Sequence, residues 1–128
     1  MNWSTVDDLD TLNDFLSTFS FHDAVIKEVH WINGSFVSEG LSMAFAEEAS
    51  VRMLVQRQWS NPSAIEILFD GVTDLTLDST NFIYDASPSA TDDTHLELIL
   101  SGSCIAFKSL RWRDASDWMG ESIHFGPL

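Results

Sequence analysis

Positive charge is scarce in this sequence. Its 128 residues include only six Lys and Arg against twenty Asp and Glu, a formal net charge of −14. A main role in gripping DNA or RNA phosphates needs a basic surface that six residues hardly supply. Docking on an anionic membrane is disfavoured for the same reason. Cysteine is nearly absent: Cys104 stands alone, so the chain has no internal disulfide and no cysteine-based zinc cluster. A reducing compartment follows. The first residues, Met1-Asn2-Trp3-Ser4, lack a basic segment followed by an apolar run, so no signal peptide is expected. No apolar run approaches the roughly 18 residues of a membrane span, and a cytoplasmic location is expected. Only six glycines and three prolines occur, with no phosphate-cradling glycine loop among them.

What is present is apolar and aromatic: 45% hydrophobic residues, with five Trp and nine Phe. That content excludes a disordered acidic tail. The length suits one domain over residues 1–128, burying roughly two thirds of its unfolded surface. Leu9, Leu12, Leu16 and Phe19 recur at helical spacing, so a helix is predicted over the first twenty residues, with Ser4 as its N-cap. From Phe21 the period becomes two. Ala24 and Ile26 differ in parity from Val29 and Trp31, which predicts a bulge near Lys27-Glu28.

Asn33-Gly34 predicts a two-residue hairpin into a strand from Phe36 to Phe45. Strands follow at Val51–Trp59, Ile65–Phe69 and Leu75–Leu77, then a polar loop over Ser87–Thr94. A hairpin closes the series: Leu96, Leu98 and Leu100 run into Ile105 and Phe107, with a second bulge before Leu110 and Trp112. A short helical turn is expected over Asp114–Met119. No strand–helix alternation appears. The expected fold is therefore α+β: an N-terminal helix packed on a curved, mostly antiparallel sheet of about six or seven strands.

Candidate sites are few. His22-Asp23, at the junction of helix and first strand, pairs an imidazole with a carboxylate, as acid–base or metal chemistry requires. The competing reading is structural, with Asp23 accepting backbone N–H bonds and His22 closing the junction. His22 and His30 are separated by about 26 Å of extended chain, too far for one coordination sphere. Asp70, Asp74 and Asp78, and the pair Asp92-Asp93, do not match the spacing of an EF-hand calcium loop. No nucleophile elbow occurs, and Cys104 reads as an inert strand thiol. Arg111-Trp112-Arg113 holds a third of the positive charge; pairing with Asp114, Asp117 or Glu121 is the expected arrangement, an anion site the alternative. No catalytic residue, metal or cofactor is assigned.

Phe21-His22-Asp23-Ala24-x-Ile26, just after a short helix, resembles a run found in small bacterial immunity proteins of polymorphic toxin systems and in related bacterial proteins. Ile65-x-Ile67-x-Phe69-x-x-Val72-x-x-Leu75-x-Leu77 and the hairpin Leu96 to Phe107 are similar to the same group. The resemblance implies a non-enzymatic domain that binds and blocks a cognate toxin, and it carries no active-site residues. The charge agrees, because an acidic inhibitor is steered to a basic, nuclease-like toxin. On this reading the partner is a protein, and the candidate contacts are Asp7, Asp8, Asp10, Asp14, Glu47 and Glu48. The alternatives are a small enzyme or metal-binding domain using His22-Asp23, and a self-associating domain such as a homodimer.

Overall fold

The structure is a computed structural model describing residues 3–79 and 82–121. The chain begins not with the helix but with a short strand, β1 (Ser4–Val6). Ser4 is thus no cap. It pairs with Trp112 in an antiparallel ladder, which buries Val6. Asp8 caps the helix α1 (Leu9–Thr18) instead: its carboxylate accepts from the Thr11 backbone N–H at 2.7 Å. The Thr11 hydroxyl accepts in return from the Asp8 N–H at 3.2 Å. This reciprocal box satisfies the first free donors of the helix, and α1 buries Leu12 and Phe15.

The remaining strands are β2 (Ala24–Asn33), β3 (Phe36–Val37), β4 (Met43–Ala44), β5 (Ala49–Arg57), β6 (Ala64–Val72), β7 (Asp74–Thr76), β8 (Phe82–Ile83), β9 (Ala86–Ala90), β10 (Leu96–Leu100), β11 (Ser103–Phe107) and β12 (Ser109–Asp114). Among the described residues, one helix and an antiparallel, sheet-rich body match the expected α+β class. The largest sheet has six strands, in the order β1-β12-β6-β5-β2-β8. The others form a four-stranded sheet, β7-β11-β10-β9, and a separate two-stranded hairpin, β3-β4. One core joins the two larger sheets: Val51, Met53, Val55, Ile65, Ile67 and Phe69 meet Leu96, Leu98, Leu100, Ile105 and Phe107. Phe69 and Phe107 meet edge to face, with ring centroids 5.0 Å apart.

The bulge near Lys27 is present, as a register shift between Ile26 and Glu28. Four expectations are corrected. The second predicted bulge is a change of sheet: the chain leaves the four-stranded sheet at Lys108, and β12 joins the six-stranded one. The predicted polar loop over Ser87–Thr94 contains β9. Its Pro88 is tolerated because β9 is an edge strand, where a missing N–H costs no ladder bond on the open side. Asp114–Met119 is not helical; the Trp118 N–H closes a single turn on the Ala115 carbonyl at 2.8 Å. Finally, β2 does not turn at Asn33-Gly34 into its partner. That partner is β5, and residues 34–48 leave the sheet as an arm carrying β3 and β4. Gly34 sits where the two limbs of the arm cross, and a Cβ there would collide with the Glu48 carbonyl oxygen.

Candidate binding surface

His22 and Asp23 lie where expected, at the start of β2. The His22 Nδ1 is 2.7 Å from the Tyr84 carbonyl oxygen, and its Nε2 is 3.3 Å from the Asp23 carboxylate. The Asp23 N–H donates to the Ile83 carbonyl at 2.8 Å, and its φ of 58° is left-handed. These bonds tie the head of β2 to β8 and the segment after it. Both side chains are about half exposed or more. The geometry is that of a junction, with the imidazole largely in solvent. Asp23 does border a groove of about 720 Å³ whose lip is Trp59, 98% exposed and held at φ 52°.

The six candidate acidic contacts fall into two groups. Asp7, Asp8, Asp10 and Asp14 lie on α1 and the turn before it, all exposed. Asp8 is committed to the cap, and the Thr11 N–H lowers its carboxyl below the ordinary value of 3.8. Glu47 and Glu48 stand at the root of the arm. Glu47 is exposed, whereas Glu48 pairs with Lys108 at 2.9 Å and lies 3.6 Å from His95. The hydrogen bond from Lys108 is the first cause of the lowered Glu48 carboxyl.

Among the described residues, no group of three or more His, Cys, Asp or Glu converges to hold a metal ion. Asp92 has another task. It accepts from the Thr94 and His95 N–H groups at 2.7 and 2.9 Å and so fastens the turn before β10. The Thr94 N–H and hydroxyl pull its carboxyl from 3.8 down to about 2. A depressed carboxyl stabilises the fold above its ordinary pKa, and the stabilisation disappears as pH falls through the lowered value. Acid unfolding followed by circular dichroism should therefore show a stability loss between pH 3.8 and about 2. Asp92→Asn should flatten that stretch of the curve; an unchanged slope would contradict this role.

The basic pair is not arranged as expected. Arg113 turns away from Asp114, Asp117 and Glu121 and bonds Glu66 of β6, with Nε at 2.7 Å. Arg52 of β5 bonds the other Glu66 oxygen. Arg111 lies 3.7 Å from Asp70. The Trp3 ring packs beneath both guanidinium groups, at 4.3 Å from Arg113 and 5.7 Å from Arg111. Glu66, which alternation places on the solvent side of its strand, is only 1% exposed. Both its oxygens are taken by guanidinium donors, so this face of the sheet is a closed ion cluster and not an open anion site.

The feature that sequence reasoning missed is the arm. Phe36 pairs with Ala44 and Val37 with Met43, so adjacent apolar residues point to opposite sides of a two-stranded ribbon. Phe36, Val37 and Met43 are all exposed, Leu41 is 86% exposed and Phe45 88%. Packing against the chain's own sheet could cover only one side of such a ribbon. Trp31 and Ile32, at the root, are exposed as well. Phe36 shares a side with Ala44, and Phe45 alternates onto the other side with Val37 and Met43, so each side of the ribbon shows an exposed ring. Clustered exposed apolar side chains of this kind are uncommon on a monomer's surface. A signal was available: Phe36-Val37 and Leu41 around Glu39-Gly40 break the one-sided alternation of a half-buried strand.

No helix among the described residues is long and apolar enough to cross a membrane. No family model, curated protein or solved structure matches this chain.

Proposed function

We propose that this chain is a non-enzymatic binding module that seats its apolar arm in a basic protein partner, as an immunity protein would neutralise a nuclease-like toxin. The observation that carries this reading is the arm itself, two-sided, exposed and rooted beside Glu47 and Glu48 on a protein of net charge −14. Buried aromatic anchors supply most of the energy of an interface, and complementary charge supplies steering. Phe36 and Phe45 are the anchors. Asp7, Asp10, Asp14 and Glu47 steer the encounter; Asp8 and Glu48 contribute charge while holding their structural bonds.

The toxin class rests on the resemblance of the Phe21-His22-Asp23-Ala24 run. A second reading, chemistry at His22-Asp23, has one observation in its favour: Asp23 borders the groove under Trp59. The exposure of both side chains speaks against it. The test is a titration with the purified protein encoded by the adjacent gene. Association should slow steeply as salt rises, because the steering is coulombic. Absent or salt-insensitive binding would overturn the proposal.

A further inference from the structure

We infer that the arm enters its partner tip first, with Leu41 seated in an apolar pocket whose rim carries a Lys or Arg for Glu39. This mode of entry rests on the binding reading given above.

The tip is held by its own backbone. The Leu41 N–H donates to the Ser38 carbonyl at 2.8 Å, and the Ser38 N–H donates to the Ser42 carbonyl at 2.8 Å. The Ser42 N–H also reaches the Ser38 hydroxyl at 3.3 Å. Glu39, Gly40 and Leu41 thus form a three-residue hairpin loop, a turn closed by a bulge residue in the left-handed region. That last position favours glycine. Here it holds Leu41, at φ 66°. Gly40, one residue earlier, has no positive φ, and a Cβ there would meet only the Ser38 hydroxyl oxygen, at an ordinary 3.8 Å. The glycine stands where the loop accepts any residue, and the leucine stands where the loop favours glycine.

Leu41 is also 86% exposed, so its side chain gains almost no cover from the described residues. An exposed leucine alone is ordinary. A left-handed leucine is rare and strained. Strain of this kind clusters at ligand clamps, and here the fold supplies no packing in exchange for it. Phe36 faces one side of the ribbon, Phe45 the other, and Leu41 the end between them. An apolar ribbon exposed on both sides and at its end is covered by a cleft and not by a flat surface. Gly40 bears no side chain, so the wall of that cleft can approach the tip closely. Glu39 is exposed next to it and brings a carboxylate to the mouth of the pocket. On a basic partner the complementary group is Lys or Arg.

The test is the affinity of full-chain variants for the purified adjacent-gene protein, with urea unfolding midpoints beside it. Leu41→Gly should weaken binding by roughly tenfold to a hundredfold, the worth of burying one leucine side chain. Its unfolding midpoint should hold or rise, because glycine relieves the left-handed position. Leu41→Met keeps an apolar group of similar volume and should bind more tightly than Leu41→Gly. Glu39→Gln should lessen the salt dependence of association, and an unchanged dependence would contradict the cationic rim. If Phe36→Ser with Phe45→Ser loses binding while Leu41→Gly binds like the unchanged chain, the arm lies flat on its partner: entry by the tip is overturned and the binding reading stands. A lower midpoint for Leu41→Gly would overturn it too, by making the leucine part of the fold. No binding by the unchanged chain overturns the binding reading, and entry by the tip with it.

Discussion

Phe19→Ala is expected to cost about 4 kcal/mol, a large fraction of the roughly 5–15 kcal/mol that stabilise a domain. Phe19 follows the last turn of α1, where its N–H bonds the Phe15 carbonyl at 2.8 Å. Its ring is fully buried, stacked on Phe15 at 6.4 Å and edge-on to Phe21 at 5.1 Å. The Arg57 guanidinium lies 3.9 Å from the ring centroid on another side. That guanidinium is nearly buried and donates to the carbonyls of Pro62 and Ser20 at 2.8 and 3.2 Å. Deleting the ring opens a cavity and also strips an apolar face from a buried cation. Phe19→Leu keeps most of the volume and should cost under about 1.5 kcal/mol. Urea unfolding midpoints decide the matter; a loss below about 2 kcal/mol for the alanine variant would mean that the Phe15–Phe19–Phe21 cluster does not anchor the helix.

Glu66→Gln is expected to cost about 3 kcal/mol. The carboxylate is fully enclosed, and both its oxygens accept from guanidinium groups. An amide would turn an NH₂ toward one of these donors and leave two positive charges with no compensating one. The figure sits at the low end for broken buried pairs because the Arg52 and Arg113 side chains are 35% and 30% exposed, so water takes part of the load. Removing the whole cluster is a different matter. Arg52→Met with Glu66→Leu and Arg113→Met should recover most of the loss, since a packed apolar trio has no charge to desolvate. If the triple variant is as unstable as Glu66→Gln, shape and not charge compensation governs this face of the sheet.

Local periodicity carried much of the fold. The Leu-Phe stripe of α1, the parity change at Lys27, the alternation of β5 and β6 and the β10–β11 hairpin are all written in runs of neighbouring residues. What the runs left open is non-local. A bulge and a change of sheet both shift parity by one, so Lys108 reads as the first while being the second. β9 has few apolar residues because an edge strand needs few, and Pro88 made it read as a loop. Glu66 alternates as a solvent-side residue should; the arginines that enclose it come from β5 and β12, and nothing near it in sequence announces them.

The site was legible in the same uneven way. His22-Asp23 stands at the predicted junction, tied to Tyr84 by the imidazole and to Ile83 by the Asp23 backbone N–H, whereas the Asp23 carboxylate faces His22 and not the backbone donors expected of it. The carboxylates on α1 face outward as their spacing implies. The arm escaped because Leu41, Met43 and Phe45 alternate with Ser42 and Ala44 as a half-buried strand would. Only the three-dimensional path shows that they stand exposed, with no sheet among the described residues beneath them.

On the proposed function the arm binds and the body supports it. The most direct measurement is the affinity of Phe36→Ser with Phe45→Ser for the adjacent-gene protein, taken beside the melting temperature of the same variant. Each exposed ring is worth about 2 kcal/mol as an interface anchor. The pair should therefore weaken binding by several hundred-fold or more. The melting temperature should hold, because both side chains are already in solvent. Unchanged affinity with an unchanged fold would show that the arm does not bind, and a collapse of the fold would show that the rings belong to the body.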